Sequence, residues 1–183
     1  MKHLALIAAA SLWLAGFQAM AADKISPEDI DLVTRTFGTL VDNEGNISMP
    51  KDYRLNWSHI GSWAVLDAEA PGHGFHDVYA QKDAVKAYRE TGKFPDGTVL
   101  VKEVRKVESG LQTTGHAQWA GATNVWFVMV KDTKGRFPGN AHWKEGWGWA
   151  LYETKNPAMN VSKSFNETCM GCHTPAKHTD WVL

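Results

Sequence analysis

Two cysteines and a histidine stand close together near the end of the chain, in the run Cys169-Met170-Gly171-Cys172-His173. Two thiols at this spacing lie about one helical turn apart, so both can form thioethers to the vinyl groups of one porphyrin. The histidine that follows can then offer its imidazole to the iron. The spacing therefore predicts one covalent haem c, attached through Cys169 and Cys172, with His173 as the metal ligand.

Other uses of the same residues are a disulfide, a zinc site or a redox dithiol beside an unrelated histidine. A structural zinc ion normally takes four cysteine or histidine ligands, and only His178 lies near the pair in sequence. A thioredoxin-like dithiol follows an early strand, whereas this pair lies near the end of the chain. The chain contains two cysteines in all, so no further pairing needs an explanation.

The first residues resemble a secretory signal. Lys2 and His3 precede an apolar stretch from Leu4 to about Phe17, and Ala19-Met20-Ala21 forms a small-x-small cleavage site. The sequence therefore predicts a signal peptide at 1–21, a mature haem domain at 22–183 and a periplasmic location. The apolar stretch is too short to span a membrane, and no later segment approaches 18 apolar residues, so we expect no membrane span in the mature form.

Composition limits the classes of partner and of fold. The formal net charge is −1, with no run of basic residues, which argues against a nucleic-acid partner. The chain has nine tryptophans, and aromatic residues in alternating runs favour strands.

The order of the elements predicts an α+β fold, in which an antiparallel sheet has flanking helices and a C-terminal helix carries the haem c motif. Ser26-Pro27 opens a helix to about Phe37, because serine is a favourable N-cap and proline suits the first helical position. A second helix covers 82–91 and a third follows Val161. Alternating or aliphatic runs predict the strands, at about 57–65, 75–80, 98–107, 124–130 and 146–152.

One predicted strand carries a lysine on an apolar face. Side chains alternate along a strand, so Leu100, Lys102 and Val104 share one face. Burial there would lower the pKa of Lys102, and a neutral amine is a nucleophile. The alternatives are an edge lysine that reaches solvent, or the opposite register with Val99 and Val101 facing inward.

Several phrases of the chain together resemble the cytochrome P-460 family. The most specific are FPDGTVLVKE at 94–103 and the C-terminal C-x-x-C-H, and Asp77-Val78-Tyr79, Val130-Lys131-Asp132 and the tail 176–180 add to them. The resemblance implies a periplasmic homodimer whose haem packs against an antiparallel sheet, with His173 as proximal ligand and an open distal site.

The resemblance also implies a reaction. In hydroxylamine-oxidising members a strand lysine is bonded to a meso carbon of the porphyrin, and Lys102 stands at that place. These members oxidise hydroxylamine and/or nitric oxide, and the electrons pass to a periplasmic acceptor cytochrome. A related branch, the cytochromes c′-beta, lacks the bond and binds nitric oxide beneath a phenylalanine.

Two distal positions depart from the hydroxylamine-oxidising pattern. Phe127 stands where that branch carries a carboxylate, and His76 where it can carry an arginine. We predict that Lys102, His76 and Phe127 form the catalytic face; a surface position for His76 and a plain core role for Phe127 are the alternatives. A protein that binds nitric oxide without turnover, or an electron carrier with Met159 as sixth ligand, remains open.

Overall fold

A six-stranded antiparallel sheet, in the order β1-β2-β3-β4-β6-β5, forms the centre of the protein. The computed structural model describes residues 27–183, so the predicted signal peptide at 1–21 and residues 22–26 lie outside the described residues. The strands are β1 Ser58–Val65, β2 Gly74–Ala80, β3 Val99–Gln112, β4 Gly115–Lys131, β5 Trp143–Lys144 and β6 Trp147–Glu153. Within the described range, no helix combines the length and the apolar character needed to cross a bilayer.

Helices lie before, between and after the strands. They are α1 Pro27–Thr39, α2 Tyr53–Asn56, α3 Lys82–Thr91 and α4 Met170–His173, with a π-helical turn at Phe165–Cys169 and a 3-10 helix at Thr174–Thr179. The predicted α+β class with an antiparallel sheet is confirmed.

The long hairpin of β3 and β4 extends well beyond the strands predicted at 98–107 and 124–130. The added residues are mostly polar or exposed, so they show no alternation of apolar side chains. They pair through backbone hydrogen bonds, from Val107 opposite Ala120 to Gln112 opposite Gly115. Hydrophobic periodicity predicts the buried part of a strand and says little about an exposed extension.

The C-terminal segment is not the single regular helix that the sequence predicts. Cys169 closes the π-helical turn, whereas Cys172 and His173 belong to α4, and the 3-10 helix follows at once. Pro175 lacks an N–H group for a regular helical bond. The side chain of Ser164 caps the first turn by accepting a hydrogen bond from the Glu167 N–H.

The inner part of the sheet is buried on both faces, against different parts of the chain. One face, with the C-terminal segment, forms a cluster that includes Leu100, Met129, Trp147, Trp149, Phe165, Cys169 and Trp181. The opposite face packs on the segment after α1 through Val99, Val101, Val128, Val130, Ala150 and Tyr152. The alternation predicted for β3 is confirmed, with Leu100 and Val101 buried on opposite faces.

A turn before β3 joins three parts of the molecule. The carbonyl of Gly97 accepts a hydrogen bond of 2.5 Å from the Thr36 hydroxyl of α1. The Gly97 N–H donates to the Lys131 carbonyl at the end of β4, over 3.0 Å. Gly97 has φ +80°, and a Cβ there would lie 2.7 Å from the backbone of Val33, so this junction requires glycine.

A buried carboxylate lies on the face opposite the C-terminal segment. Glu103 is fully buried and accepts hydrogen bonds from Arg54, from the Thr123 hydroxyl and, over 3.0 Å, from the Tyr53 hydroxyl. The Trp126 indole in turn donates to the Tyr53 oxygen over 2.8 Å. Burial alone would raise the pKa of Glu103, but the bonds from Arg54 and Thr123 outweigh it and hold the pKa below its usual value.

We expect Glu103→Ala to lower the free energy of unfolding by at least about 2 kcal/mol at neutral pH, because the buried Tyr53 hydroxyl and Thr123 lose their acceptor. A lowered folded pKa stabilises the native state above the unfolded pKa, and this stabilisation is lost as pH falls through the folded pKa. The loss should therefore shrink below about pH 4.5, the ordinary glutamate value. Urea unfolding at several pH values measures it, with the exposed Glu108→Ala on the same strand as control. Equal losses in the two variants would contradict the prediction.

Candidate functional site

A cavity of about 410 Å³ lies between the sheet and the C-terminal segment. Its sheet wall is largely apolar and includes Val78, Leu100, Val104, Val125, Phe127, Met129 and Trp149. The opposite wall contains Cys169, Cys172 and His173, followed by Val182 and Leu183 at the chain end. None of the described residues that line the cavity is an aspartate or a glutamate.

All six residues singled out in the sequence line this one cavity. His76, Lys102 and Phe127 come from β2, β3 and β4, whereas Cys169, Cys172 and His173 come from the C-terminal segment. The register of the sheet aligns the strand residues, since Lys102 pairs with Val78 on one side and with Phe127 on the other. The structure thus brings the residues together, and the chemical roles assigned to them stay predictions.

The ring of His173 is held in one orientation. Its Nδ1 lies 2.7 Å from the carbonyl oxygen of Trp181, which can only accept, so Nδ1 carries the proton. This tautomer leaves Nε2 as the nitrogen with a free lone pair, the form that binds iron. Trp149 packs edge-on against the ring, with centroids 4.8 Å apart, and burial lowers the pKa of His173.

The two cysteines differ in their surroundings. Cys169 is buried and Cys172 is exposed, although both line the cavity. Burial raises the pKa of the Cys169 thiol to about 11. Since the thiolate is the reactive form in disulfide exchange, this environment disfavours the redox-dithiol alternative. Among the described residues, no group of three or more histidine, cysteine, aspartate or glutamate side chains could hold a metal ion, which disfavours the zinc alternative.

Lys102 extends over the ring of its cross-strand partner, Phe127, with Nζ 4.3 Å from the ring centroid. Across residues 31–183, whose side chains the structure describes, no carboxylate forms an ion pair with it. Burial lowers the pKa of Lys102, and the electrostatic influence of Cys172 and Cys169 opposes this only in part. The amine is therefore shifted toward its neutral, nucleophilic form beside the predicted attachment residues.

His76 is 6 % exposed, so the alternative of a surface position is wrong. The ring stacks on Trp63, with centroids 4.8 Å apart, and its Nε2 lies 2.7 Å from the carbonyl of Gly72. Nε2 therefore carries the proton, which leaves Nδ1 as an acceptor, and this buried atom has no hydrogen-bond partner. Burial lowers the pKa of His76 and favours this neutral form.

Met159, the sequence alternative for a sixth ligand, is 53 % exposed and does not line the cavity. The thioether of an electron-carrier site would have to face the iron from within the cavity. The position of Met159 therefore disfavours the carrier interpretation.

Sequence reasoning missed two tryptophans of the site. Trp63 supports His76 and Trp149 supports His173, whereas in the sequence the tryptophans indicated strands only. The alternation of GWGWALY already places Trp149 and Leu151 on one face. Only the pairing of Met129 with Trp149 shows that this is the cavity face.

An antiparallel sheet that carries an apolar cavity, with a C-x-x-C-H run on the facing wall, defines a haem-binding protein of the cytochrome class. The sequence model of the cytochrome P-460 family matches residues 50–183, and the chain therefore belongs to this family. The resemblance identified in the sequence is confirmed. A comparison with curated proteins gives no match.

The residues around the cavity fit a haem. The long apolar wall suits the porphyrin faces, and the C-x-x-C-H residues lie together on the opposite wall. His173 presents the tautomer that leaves Nε2 available to iron. The unpartnered Nδ1 of His76 is the kind of buried polar atom that a bound group completes.

Proposed function

We propose that the chain is a periplasmic monohaem c-type cytochrome that oxidises hydroxylamine and/or nitric oxide at an open distal haem site, with Lys102 bonded to the haem. The observation that carries the proposal is the position of Lys102. Its amine lies on the cavity wall, has no carboxylate partner among the described residues and is shifted by burial toward the neutral form. A stably charged lysine would be costly to keep there.

On the proximal side the chain supplies attachment and one ligand. Cys169 and Cys172 would hold the haem through thioethers to its two vinyl groups, and Nε2 of His173 would bind the iron. The Trp181 carbonyl and the edge of Trp149 hold the imidazole in this orientation. Two thioethers keep the cofactor in place when noncovalent contacts are lost.

Formation of the proposed bond between Lys102 and the haem would be an oxidation. It would replace one N–H bond and one porphyrin C–H bond by a C–N bond, with the release of two protons and two electrons. A two-electron oxidant of the dioxygen or peroxide class must take these electrons during maturation. The neutral amine supplies the nucleophilic lone pair, and Phe127 over the amine limits its access to water.

The distal side supplies one proton acceptor. The haem, when bound, provides the site at which the nitrogen ligand loses electrons. Oxidation of hydroxylamine to nitric oxide releases three protons and three electrons. The electrons pass to a periplasmic acceptor cytochrome. Nδ1 of His76 can accept a hydrogen bond and then a proton from a protic ligand, whereas Phe127 cannot.

The absorption spectrum of the purified protein tests this proposal. A ferrous Soret band shifted to the red indicates the lysine–haem bond and supports the oxidising function. An ordinary high-spin haem c spectrum would contradict the bond and favour a nitric oxide binder. A six-coordinate low-spin spectrum would contradict the open distal site and favour an electron carrier.

We expect His76→Phe to lower hydroxylamine turnover by about 10²-fold, the low end of what a general base contributes. Nitric oxide carries no proton, so its binding should change little. Steady-state turnover and nitric oxide titration of the same preparation measure the two effects. His73→Phe, at a second histidine of the cavity wall, is the matched control, and an equal loss there would contradict a specific role for His76.

A second candidate function is nitric oxide binding without turnover, as in the cytochromes c′-beta. Two observations favour it. Phe127 lies on the cavity wall, and the described lining contains neither an aspartate nor a glutamate that could relay protons. Under this alternative Lys102 stays free and the protein shows nitric oxide affinity with no hydroxylamine oxidation.

We also propose that the protein is a homodimer. Leu111 and Trp119, 76 % and 40 % exposed, support this, because they leave apolar surface on the extended β3–β4 hairpin. Sedimentation of the holoprotein at several concentrations tests the dimer, and cell fractionation tests the periplasmic location. A monomer at all concentrations, or holoprotein in the cytoplasmic fraction, would contradict the respective statement.

A further inference from the structure

The C-terminal tail carries a buried ion pair with no role in the proposed function. Oδ1 of Asp180 lies 2.7 Å from Nζ of Lys131, and the two side chains are 6 % and 9 % exposed. Oδ2 of Asp180 accepts a hydrogen bond of 2.9 Å from the backbone N–H of Phe94. One carboxylate therefore joins the tail to the end of β4 and to the turn before β3.

The backbone beside this ion pair has an uncommon conformation. Asp180 and Trp181 have φ values of +58° and +69°, in the left-handed region that residues other than glycine seldom adopt. Such a conformation persists where the surroundings hold it in place. Here it is held by the contacts of the Asp180 carboxylate and by a bond of 2.8 Å from the Trp181 N–H to the Ala176 carbonyl.

This backbone conformation directs the Trp181 carbonyl toward His173. The oxygen accepts from Nδ1 over 2.7 Å, the hydrogen bond that fixes the tautomer of the ring. A partner on the second nitrogen of a ligating histidine raises the basicity of the ligand and orients the ring. A more basic imidazole stabilises ferric over ferrous iron, so a stronger bond lowers the reduction potential.

We propose that Lys131 and Asp180 are positioning residues for the proximal ligand, because their ion pair holds the Trp181 carbonyl against His173 and so sets the reduction potential. This inference rests on the proposed function in taking His173 as the iron ligand. The junction is suited to the task, since the Gly97 N–H and the Thr98 carbonyl also bond the backbone of Lys131, over 3.0 and 2.8 Å.

The main test is the double variant Lys131→Met with Asp180→Ala, made in the full-length holoprotein. It removes one positive and one negative charge together, so the net charge does not change and a simple Coulomb effect on the iron is minimised. We expect a higher reduction potential and a lower iron–histidine stretching frequency in the resonance Raman spectrum, because the bond to Nδ1 is weakened.

The matched control is Arg54→Met with Glu103→Ala. This ion pair is also charge-neutral, its glutamate is fully buried on the opposite face of the sheet, and neither residue lines the cavity. We expect it to lower stability and to leave the potential and the stretching frequency unchanged. Equal shifts in the two double variants would mean that general loosening is the cause and would overturn the proposal.

If the double variant does not fold, the same two measurements are made on the single variant Asp180→Asn. The amide keeps the shape and an acceptor for the Phe94 N–H, so a smaller shift in the same direction is expected. If the variants fold but their reduction potential and iron–histidine stretching frequency are unchanged, this inference is wrong, whereas the proposed function is not affected. If the unaltered protein shows no iron–histidine band, or if His173→Ala leaves that band in place, the proposed ligand is wrong.

Discussion

The variant Lys102→Arg is expected to show an ordinary haem c spectrum, to lose hydroxylamine oxidation and to keep nitric oxide binding. Arginine retains a long cationic side chain but stays protonated, so it lacks the lone pair that a bond to the porphyrin needs. Without the bond, the ring keeps its full conjugation. The optical spectrum and the reactivity of the iron should therefore change together.

Mass spectrometry of the digested protein gives the direct measurement. In the unaltered protein the peptide that contains Lys102 should carry the haem together with the peptide that contains Cys169 and Cys172. Lys106→Arg, at an exposed lysine of the same strand, is the control and should leave spectrum and turnover unchanged. If the unaltered Lys102 peptide carries no haem, the bond is absent and the nitric oxide binder becomes the better interpretation.

Complete loss of thioether-bound haem is expected when Cys169 and Cys172 are both replaced by alanine. Each cysteine supplies one thioether, so single variants should keep one thioether and the double variant none. Denaturation in acid acetone followed by a haem stain on a gel distinguishes the cases. In the double variant any haem that remains must depend on Lys102, and adding Lys102→Ala should remove it.

A substitution within the motif provides the control for attachment. Met170 lies between the two cysteines and is 42 % exposed, so Met170→Ala removes a side chain without a thiol or a deeply buried contact. We expect normal covalent attachment in this variant. The proposed attachment would be refuted if haem survived denaturation in the triple variant, in which Cys169, Cys172 and Lys102 are all replaced by alanine.

Much of the fold is already contained in short-range patterns. Helix α3 covers 82–91 as predicted, because the chain there has a helix-forming run closed by Gly92 in the left-handed conformation. The face of β3 that carries Lys102 follows from alternation, which depends on neighbouring residues alone. The pattern fails where residues are exposed, as in the outer part of the β3–β4 hairpin, since backbone pairing there leaves no apolar signature.

The surroundings of His76 and Phe127, by contrast, depend on tertiary contacts rather than on short-range sequence patterns. The sequence left His76 between a cavity position and a surface position, and the structure buries it against Trp63 with a fixed tautomer. Its acceptor atom results from a contact to Gly72, on the loop before β2, which no spacing rule predicts. Phe127 lies beside Lys102 because of the register of β3 and β4, which the sequence of either strand alone does not determine.

The sequence by itself determined the residues that can carry the chemistry: the C-x-x-C-H spacing, a lysine on an apolar strand face and membership of the cytochrome P-460 family. The motif spacing and the strand alternation act over one helical turn or one pleat, so local geometry suffices to infer them. The tertiary structure decided which of them meet, which nitrogen of each histidine carries the proton, and how Asp180 and Lys131 hold the tail beside His173. Such contacts join residues far apart in sequence, and only strand register and tail packing bring them within hydrogen-bonding distance.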